Sequence, residues 1–362
     1  AANGTVASYT AAAAVRDGLT EAGFTIKKRR GFGRKRDMIV GHKGSHAVDG
    51  EVSRPSVARV GVIGGGIAGA SVAAGLVRRG TEVTILEAGP GLANAASGNR
   101  LALQSPRLAV DHNLASRLSA TCLAFAATLS DRLGASVAAP VLALDWPTRE
   151  AERHAKFRRQ SWPDSLAVDL SMEAASAQSG IDISLPTMRH DYGRVIKPAK
   201  LIARLAKGCP VITDFVVSSF VRDDHGVTVI ANDGRQEKFD AIVLANGAEM
   251  AKLLGQFGYR GVTLDVTVGQ VSHLPATAQS ARLCAGLSYG GYLTPAINGL
   301  HELGATFDRD AAMEVTSAGH SHNFDLLPSG LRNLFAEIGP DRLSGRTSRR
   351  VSTPDRNPIS GR

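Results

Sequence analysis

Apolar and polar positions divide the chain into a short first part and a long second part. Over residues 1–42 the pattern predicts a strand at 4–9, a helix at 11–22 that is closed by glycine, and strands at 24–28 and 38–40. A β-α-β-β piece of this size is too small to bury a full core by itself. The polar segment 43–56, which contains glycine and serine, is interpreted as a linker.

The second part, residues 57–362, mixes strand-like and helix-like periods and predicts an α/β fold. It opens with two apolar runs that flank a helical stretch, which is the pattern of a β-α-β unit. The elements predicted after that unit are a helix at 114–133, a strand at 141–145, a helix at 198–206, strands at 211–220, 227–231 and 241–244, and turns at 223–226 and 232–234.

The β-α-β unit carries the most informative motif. Gly64, Gly66 and Gly69 form G-x-G-x-x-G directly after the first strand, and Glu87 ends the second strand. The glycines allow a tight turn, a close approach of a pyrophosphate and close packing of the helix, while the acid accepts ribose hydroxyls. This context predicts a dinucleotide site. The alternatives are a membrane span over 60–77, which carries no charge, and a plain glycine-rich turn.

Composition narrows the class of protein. The 362 residues are 43% apolar and 21% charged, which excludes a disordered or membrane-embedded chain, and the net charge of +9 permits an anionic partner. Cys122, Cys209 and Cys284 fit no metal spacing and are expected to be buried thiols in a reducing, cytoplasmic compartment. No metal site and no membrane association are predicted.

A basic segment lies between the second and third predicted strands. It contains seven cations within ten residues, with one aromatic residue among them. Such a segment suits an RNA backbone, because phosphate contacts dominate affinity for nucleic acids. The alternatives are a solvated hairpin loop and a surface that faces another domain. The candidate nucleic-acid residues are Lys27, Lys28, Arg29, Arg30, Arg34, Lys35 and Arg36.

Several further motifs, taken in order, resemble those of D-amino-acid-oxidase-type FAD oxidoreductases. Within that group they resemble the bifunctional tRNA wobble-uridine enzymes, in which a methyltransferase is fused to an FAD oxidase. The likeness spans nearly the whole chain, and residues 18–36 resemble the close of the methyltransferase domain. The motifs are Ser97-Gly98-Asn99-Arg100, Lys197-Pro198, Leu244-Ala245-Asn246-Gly247, Gly269-Gln270-Val271-Ser272-His273, Gly291-Tyr292-Leu293-Thr294-Pro295, Gly304-Ala305-Thr306, and the late run Gly345-Arg346, Arg350, Thr353, Asp355, Pro358 and Gly361.

The resemblance implies a domain organisation and a cofactor. Residues 1–42 would be the end of a methyltransferase domain. The rest would be a Rossmann-like FAD-binding domain (about 57–145, 190–262 and 345–362), interleaved with an α+β substrate domain built on an antiparallel sheet (about 146–189 and 263–344). FAD, rather than NAD, is expected. The cofactor-binding residues implied are Gly64, Gly66, Gly69, Glu87, Ser97, Asn99, Val216, Asn246 and Gly247.

The resemblance also implies a reaction, the oxidative removal of the carboxymethyl group from 5-carboxymethylaminomethyl-(2-thio)uridine at wobble position 34 of tRNA. The product is 5-aminomethyl-uridine, which the full-length parent methylates with S-adenosylmethionine. Arg350 is the candidate that grips the substrate carboxylate, because its guanidinium is a bidentate fork. Tyr292 and Gln270 are weaker candidates for orienting the amine. Each of the three could instead be a strand residue with satisfied hydrogen bonds.

Two other functions remain open at this point. One is an FAD-dependent oxidase of a small amino acid or amine, which would have no use for the basic segment. The other is a non-catalytic fragment that binds tRNA. The chain lacks an initiator methionine and the methyltransferase's glycine loop, and it stops before a further glycine-rich segment of the family. It is therefore expected to be a C-terminally truncated piece of a longer protein. This piece is expected not to bind S-adenosylmethionine productively, and the sequence makes no prediction of its oligomeric state.

Overall fold

The computed structural model describes residues 5–8, 10–31, 36–43, 59–106, 108, 113–159, 162–259, 261, 263–309, 311–359 and 361. The chain forms two compact units, residues 1–57 and residues 58–362. Most of the predicted linker, and the basic residues Arg34 and Lys35, lie outside the described residues.

The first unit is the predicted β-α-β-β piece. It consists of β1 (Thr5–Ser8), α1 (Ala13–Glu21), β2 (Phe24–Arg30) and β3 (Asp37–Lys43), with the strands in the antiparallel order β1-β3-β2. Gly23 has a φ of +83°, a left-handed conformation that ends the helix and that glycine adopts without strain. The two later strands are longer than predicted. Lys43 therefore ends β3 instead of opening a linker.

The second unit contains the remaining elements. Its helices are α2 (Ile67–Val77), α3 (Leu114–Arg132), α4 (Thr148–Phe157), α5 (Met172–Ser179), α6 (Pro198–Leu205), α7 (Met250–Gln256), α8 (Ser317–Asp325) and α9 (Ser329–Arg332). Its strands are β4 (Arg59–Ile63), β5 (Glu82–Leu86), β6 (Ala102–Gln104), β7 (Ser136–Ala138), β8 (Val141–Leu144), β9 (Val168–Leu170), β10 (Thr187–His190), β11 (Arg194–Ile196), β12 (Val211–Ile212), β13 (Val217–Asp223), β14 (Gly226–Ala231), β15 (Gln236–Phe239), β16 (Ala241–Leu244), β17 (Asp265–Pro275), β18 (Gly286–Ser288), β19 (Tyr292–Leu293), β20 (Leu300–Gly304) and β21 (Ser344–Ser352).

A parallel sheet of order β12-β5-β4-β16 forms the Rossmann-like part. The chain passes from β4 through α2 to β5 on one side, while β16 lies on the other side of β4. The connections leave the carboxyl ends of β4 and β16 toward opposite sides, which is the position at which open α/β sheets bind their ligands. Ala70 and Ala73 are fully buried, and their small side chains let α2 lie close to the sheet. The uncharged run 60–77 is thus a strand, a turn and a short helix.

A mixed eight-stranded sheet of order β21-β17-β20-β19-β18-β8-β10-β9 forms the second layer. Its neighbouring strands are antiparallel except β8 and β18. One face packs Leu274, Leu293 and Leu303 against the apolar core formed with α5 and α9. Side chains alternate between the faces of a strand, so Val271, Gly304, Tyr292 and Arg346 share the opposite face, named the site face below.

The predicted fold class is confirmed, and the strand pairing adds detail that the predicted domain bounds did not contain. Strands β8 and β21 fall within parts predicted to bind FAD, yet both pair into the eight-stranded sheet. The hairpin turns predicted at 223–226 and 232–234 connect β13, β14 and β15. Phe215 interrupts the strand predicted at 211–220, where the chain leaves β12 for β13.

The cysteines, the helices and the metal-ligating side chain types were each the subject of a prediction. Cys122 and Cys284 are exposed and only Cys209 is half-buried, so the expectation of buried thiols was wrong. No helix in the described part of the chain is long and apolar enough to span a bilayer. The same residues contain no group of three His, Cys, Asp or Glu side chains placed to hold a metal ion.

Candidate active site

The glycine loop between β4 and α2 is shaped by close backbone contacts. Gly64 has a φ of +107°, and a Cβ there would lie 2.6 Å from the carbonyl oxygen of Ala245. A Cβ at Gly69 would collide with the carbonyl oxygen of Gly64. These two glycines are therefore required by the fold of the loop itself. Gly64 lets the loop approach the end of β16, and Gly69 lets the first turn of α2 pack against the loop.

Gly66 differs from these two glycines, because no backbone atom lies close to the position that its Cβ would occupy. The nearest atom to a Cβ placed there is the hydroxyl oxygen of Ser97, at 3.2 Å. The same hydroxyl accepts the N–H of Ile67 at 3.1 Å and so caps the start of α2. No acidic residue lies in the first turn of α2. The positive end of this helix therefore opens beside a glycine and a hydroxyl, which suits a phosphate group.

Glu87 lies at the carboxyl end of β5 and is tied to the glycine loop. Its carboxylate accepts the N–H of Gly65 at 2.6 Å and the N–H of Gly89 at 2.8 Å. Its backbone carbonyl accepts the N–H of Phe215 at 2.9 Å, which brings the exposed Val216 to the same edge. Gly65 is a residue that the motif did not single out. A Cβ there would lie 2.8 Å from the Glu87 carboxylate.

The other predicted cofactor residues meet the same loop. Ala245 donates its N–H to the carbonyl of Ile63 at 2.8 Å, which places Asn246 and Gly247 against the glycine turn. The Oδ1 atom of Asn246 is buried and has no hydrogen-bond partner among the described residues. An extended dinucleotide with donors along its length would fit a cradle made of glycines, a capped helix start and an unpaired amide oxygen.

Arg350 and Tyr292 lie on the site face, each across a glycine of a neighbouring strand. A Cβ at Gly269 would lie 2.6 Å from the Nε atom of Arg350, and a Cβ at Gly304 would lie 3.0 Å from the ring of Tyr292. Glycine inside a strand often marks a place where another group approaches closely. Burial, aided by Glu302, raises the pKa of the Tyr292 phenol well above its usual range. The phenol therefore stays protonated and able to donate a hydrogen bond.

Gln270 lies on the opposite face of the sheet and is not brought to Arg350 and Tyr292. Its Nε2 donates to the carbonyl of Thr316 at 2.9 Å, and its Oε1 accepts the N–H of Thr316 at 2.9 Å. The side-chain amide therefore holds the residue that caps α8. Gln270 is therefore a strand residue whose side-chain hydrogen bonds are satisfied, the alternative given for it above. A shift of one position along β17 is enough to separate it from the site, because side chains alternate between faces.

Arg346 joins the site face to the loop of residues 94–101. Its guanidinium donates to Oδ1 of Asn99 at 2.7 Å and to the carbonyl of Ala95 at 2.9 Å. Asn99 is thus a partner of Arg346, which sequence reasoning did not assign to the site. The signal was present in the Gly345-Arg346 pair of the late motif. The interaction places the loop that carries Ser97 beside the site face.

Glu302 is a second residue that the motifs missed. It is 1% exposed, Nε2 of His273 lies 3.3 Å from its Oε1, and the backbone N–H groups of Arg100 and Leu101 lie close enough to favour the ionised carboxylate. Burial raises the pKa of Glu302 to about 7, and the nearby Arg100 and Arg346 oppose that rise. Burial lowers the pKa of His273. The carboxyl group beside Tyr292 therefore holds a proton near neutral pH. The sequence signal for it was an acid in the middle of a short strand, between Leu300 and Leu303.

The family model described as FAD dependent oxidoreductase matches residues 59–362. The chain belongs to this family of FAD-dependent oxidoreductases. The match covers the Rossmann-like sheet, the eight-stranded sheet and every predicted cofactor residue. A second model, described as an S-adenosyl-L-methionine-dependent methyltransferase, matches residues 1–44 of this oxidoreductase.

Two curated relatives share the name tRNA 5-methylaminomethyl-2-thiouridine biosynthesis bifunctional protein MnmC. The protein of Marinobacter nauticus is 32% identical over 370 residues, covering 99% of this chain and 58% of the relative. The protein of Caulobacter vibrioides is 34% identical over 359 residues, covering 98% of this chain and 57% of the relative. The oxidoreductase thus spans a little over half the length of these relatives.

Solved structures with the same fold include two oxidases. Glycine oxidase from Geobacillus kaustophilus has a TM-score of 0.66 at 20% identity, covering 84% of this chain and 85% of that one. Iminodiacetate oxidase from Chelativorans sp. BNC1 has a TM-score of 0.66 at 22% identity, covering 84% of this chain and 86% of that one. At these identities the likeness establishes the fold.

The basic segment lies in the first unit. Phe24 and Ile26 of β2 are half-buried, whereas the four cations that follow, residues 27–30, are all exposed. Successive side chains point to opposite faces, so β2 carries cations on both faces beyond the end of its core. Arg36 is also exposed.

Proposed function

We propose that this oxidoreductase removes the carboxymethyl group from 5-carboxymethylaminomethyl-uridine at the tRNA wobble position and leaves 5-aminomethyl-uridine. In the longer relatives the name implies that a methyl group is then added. The observation that carries the proposal is the presence of a methyltransferase match and an FAD oxidoreductase match in one chain. The similarity to curated relatives named for this tRNA modification extends over both matches.

The site residues are proposed to act as follows. Arg350 grips the substrate carboxylate with two parallel N–H groups, which fixes the adjacent N–CH2 carbon. The protonated phenol of Tyr292 donates a hydrogen bond to the same carboxylate or to the amine lone pair. The glycine loop, Glu87, Ser97, Asn99, Val216, Asn246 and Gly247 would hold FAD. The chemistry that FAD would supply when bound is acceptance of a hydride from that carbon.

The imine that remains on the substrate is hydrolysed by water to the aminomethyl nucleoside and glyoxylate. The chain positions the substrate and excludes other orientations. The amine must be neutral to lose hydride, and no dedicated base is needed for that if a neutral amine binds. Gln270 has no part in this proposal, because its amide holds Thr316 on the other face.

The exposed cations of β2 are proposed to contact tRNA phosphates, together with Arg34, Lys35 and Arg36 of the same segment. Their exposure on both faces of the strand supports this role. A competing function, oxidation of a small N-substituted glycine, is favoured by the fold shared with glycine and iminodiacetate oxidases. It would use Arg350 and Tyr292 in the same way.

A competition of substrates tests the proposal. The FAD-loaded chain is incubated with tRNA that carries 5-carboxymethylaminomethyl-uridine, with glycine and with iminodiacetate, and oxygen uptake is recorded. A kcat/KM that is much higher for the modified tRNA supports the proposal. Efficient oxidation of iminodiacetate with no reaction of the tRNA would replace it by the small-molecule function.

A further inference from the structure

Phe307 presents a solvent-exposed aromatic ring beside Arg350, and the proposed function gives this residue no role. The side chain is 71% exposed. A single exposed apolar residue is ordinary on a protein surface. Phe307 is unusual because its backbone is held on both sides and because a cation occupies one face of its ring.

The backbone around Phe307 is fixed by strand β17. Thr306 donates its N–H to the carbonyl of Gln270 at 3.1 Å, and Asp308 donates its N–H to the carbonyl of Val268 at 3.0 Å. Between the pairs Val271–Gly304 and Val268–Asp308, β17 advances three residues and the facing segment advances four. The extra residue is a β-bulge, a feature that re-aims side chains at the edges of sheets and near active sites. The ring therefore cannot turn toward the core without breaking this pairing.

One face of the ring is covered and the other faces solvent. The Cζ atom of Arg350 lies 4.4 Å from the ring centroid, in a cation–π contact. The guanidinium reaches that position because Gly269 has no side chain to block it. The cation that is proposed to grip the substrate carboxylate thus also orients the ring. The open ring face and the substrate cation lie next to each other on the site face.

We propose that the open face of Phe307 stacks on a nucleobase of the RNA substrate, an inference that rests on the proposed function. Aromatic side chains bind unstacked bases of single-stranded RNA loops, because each base offers a flat π-face. The base that stacks on Phe307 is either the reacting uracil or a base next to it in the loop. Small-molecule substrates such as iminodiacetate have no base and gain nothing from the ring.

The test measures RNA binding directly, so that it does not depend on turnover. A fluorescein-labelled anticodon stem-loop RNA with an unmodified wobble uridine is titrated with the FAD-loaded chain and with Phe307→Ala, Phe307→Leu and Phe307→Tyr. The exposed position means that none of these changes should disturb folding. Phe125→Ala is the matched control, since Phe125 is an aromatic residue on α3 that is 63% exposed.

Loss of the ring should weaken binding by about 5- to 150-fold, the range measured for base–aromatic stacking. Phe307→Tyr should retain wild-type affinity and Phe307→Leu should not. Stem-loops with an abasic wobble site or an abasic neighbour identify the base, because the RNA that lacks the stacked base should no longer distinguish wild type from Phe307→Ala.

Three results would overturn the inference. These are no binding of the stem-loop by the wild-type chain, equal affinity of wild type and Phe307→Ala, or a kcat/KM for iminodiacetate that falls as much as the RNA affinity. The last would mean that Phe307 acts only by orienting Arg350. Binding that depends on Phe307 in a chain that does not oxidise modified tRNA would leave the stacking inference in place and remove the proposed function.

Discussion

Three glycines of the cofactor loop and its helix should respond differently to the same substitution by alanine. A Cβ at Gly66 would meet only the Ser97 hydroxyl, at 3.2 Å, and would otherwise fill the space beside the start of α2. A Cβ at Gly69 would overlap the carbonyl oxygen of Gly64. A Cβ at Gly75, further along α2, would have its nearest neighbour at 3.7 Å, the end of the Arg79 side chain. The three variants therefore separate cofactor binding from folding.

The magnitudes follow from these distances. Gly66→Ala should cost the apo protein about 1 kcal/mol or less, the loss of a good helix N-cap residue, which lowers Tm by about 2–4 °C. A methyl group in the cofactor's space should weaken FAD binding by about 1–3 kcal/mol, or about 5- to 150-fold. Gly69→Ala should destabilise the fold itself, since two backbones would have to part. Gly75→Ala should stabilise α2 by about 0.5–1 kcal/mol.

The assay combines two measurements on each purified variant. Thermal unfolding of the apo protein reports folding, and quenching of flavin fluorescence in a titration reports the dissociation constant of FAD. We expect Gly66→Ala to fold but to bind FAD poorly, and Gly75→Ala, the control, to fold and bind FAD normally. A Gly66→Ala protein that binds FAD as tightly as wild type would show that the pyrophosphate does not lie against this glycine.

Three further predictions address the substrate side. Arg350→Lys should lower kcat/KM for modified tRNA by roughly tenfold or more, because a point charge cannot grip the carboxylate bidentately. The tRNA affinity should be kept, because a lysine cation can also lie over the Phe307 ring. Full activity would remove Arg350 from the site. Alanine at residues 27–30 should weaken tRNA binding. The slope of log affinity against log salt concentration should become shallower by about 0.7–0.9 for each phosphate that is no longer neutralised. Lys207→Ala is the control at an exposed position, and an unchanged slope would assign the segment a structural role. Glu302→Gln should change the pH dependence of stability: the folded pKa of Glu302 is raised from 4.5 to about 7, so the folded state binds the proton more tightly and wild-type stability falls as pH rises from 4.5 to 7. Tm should therefore differ most above pH 7, where Glu302→Gln is the more stable protein, and identical pH profiles would contradict the burial argument.

The cofactor end of the molecule could be predicted from sequence because its elements are contiguous. Strand, glycine loop, helix and acid follow one another within residues 60–87, and each has a short-range physical reason to be there. The helix-closing role of Gly23 and the hairpin turns before β14 and β15 are local in the same way.

The substrate end depends on register between distant strands, which sequence does not display. Gln270 and Arg350 both lie on long strands of one sheet, yet only the pairing of Thr267 with Arg350 shows that they face opposite sides. Glu302 and Phe307 became visible through burial and through a bulge, both properties of the assembled sheet. The pairing of β8 and β21 with the eight-stranded sheet was not visible for the same reason, since a strand's sequence does not name its partners.

We propose that the FAD-dependent site of this chain oxidises the carboxymethylaminomethyl group of tRNA, and an anaerobic single-turnover experiment measures that reaction without an external electron acceptor. FAD-loaded protein is mixed with excess tRNA carrying 5-carboxymethylaminomethyl-uridine, flavin bleaching is followed by absorbance, and the nucleosides of the same sample are separated by liquid chromatography and mass spectrometry. We expect one 5-aminomethyl-uridine to appear for each flavin bleached, and both signals to be slowed together in Arg350→Lys. Bleaching with no change in the nucleoside, or no bleaching by this tRNA under conditions in which iminodiacetate reduces the flavin, would contradict it.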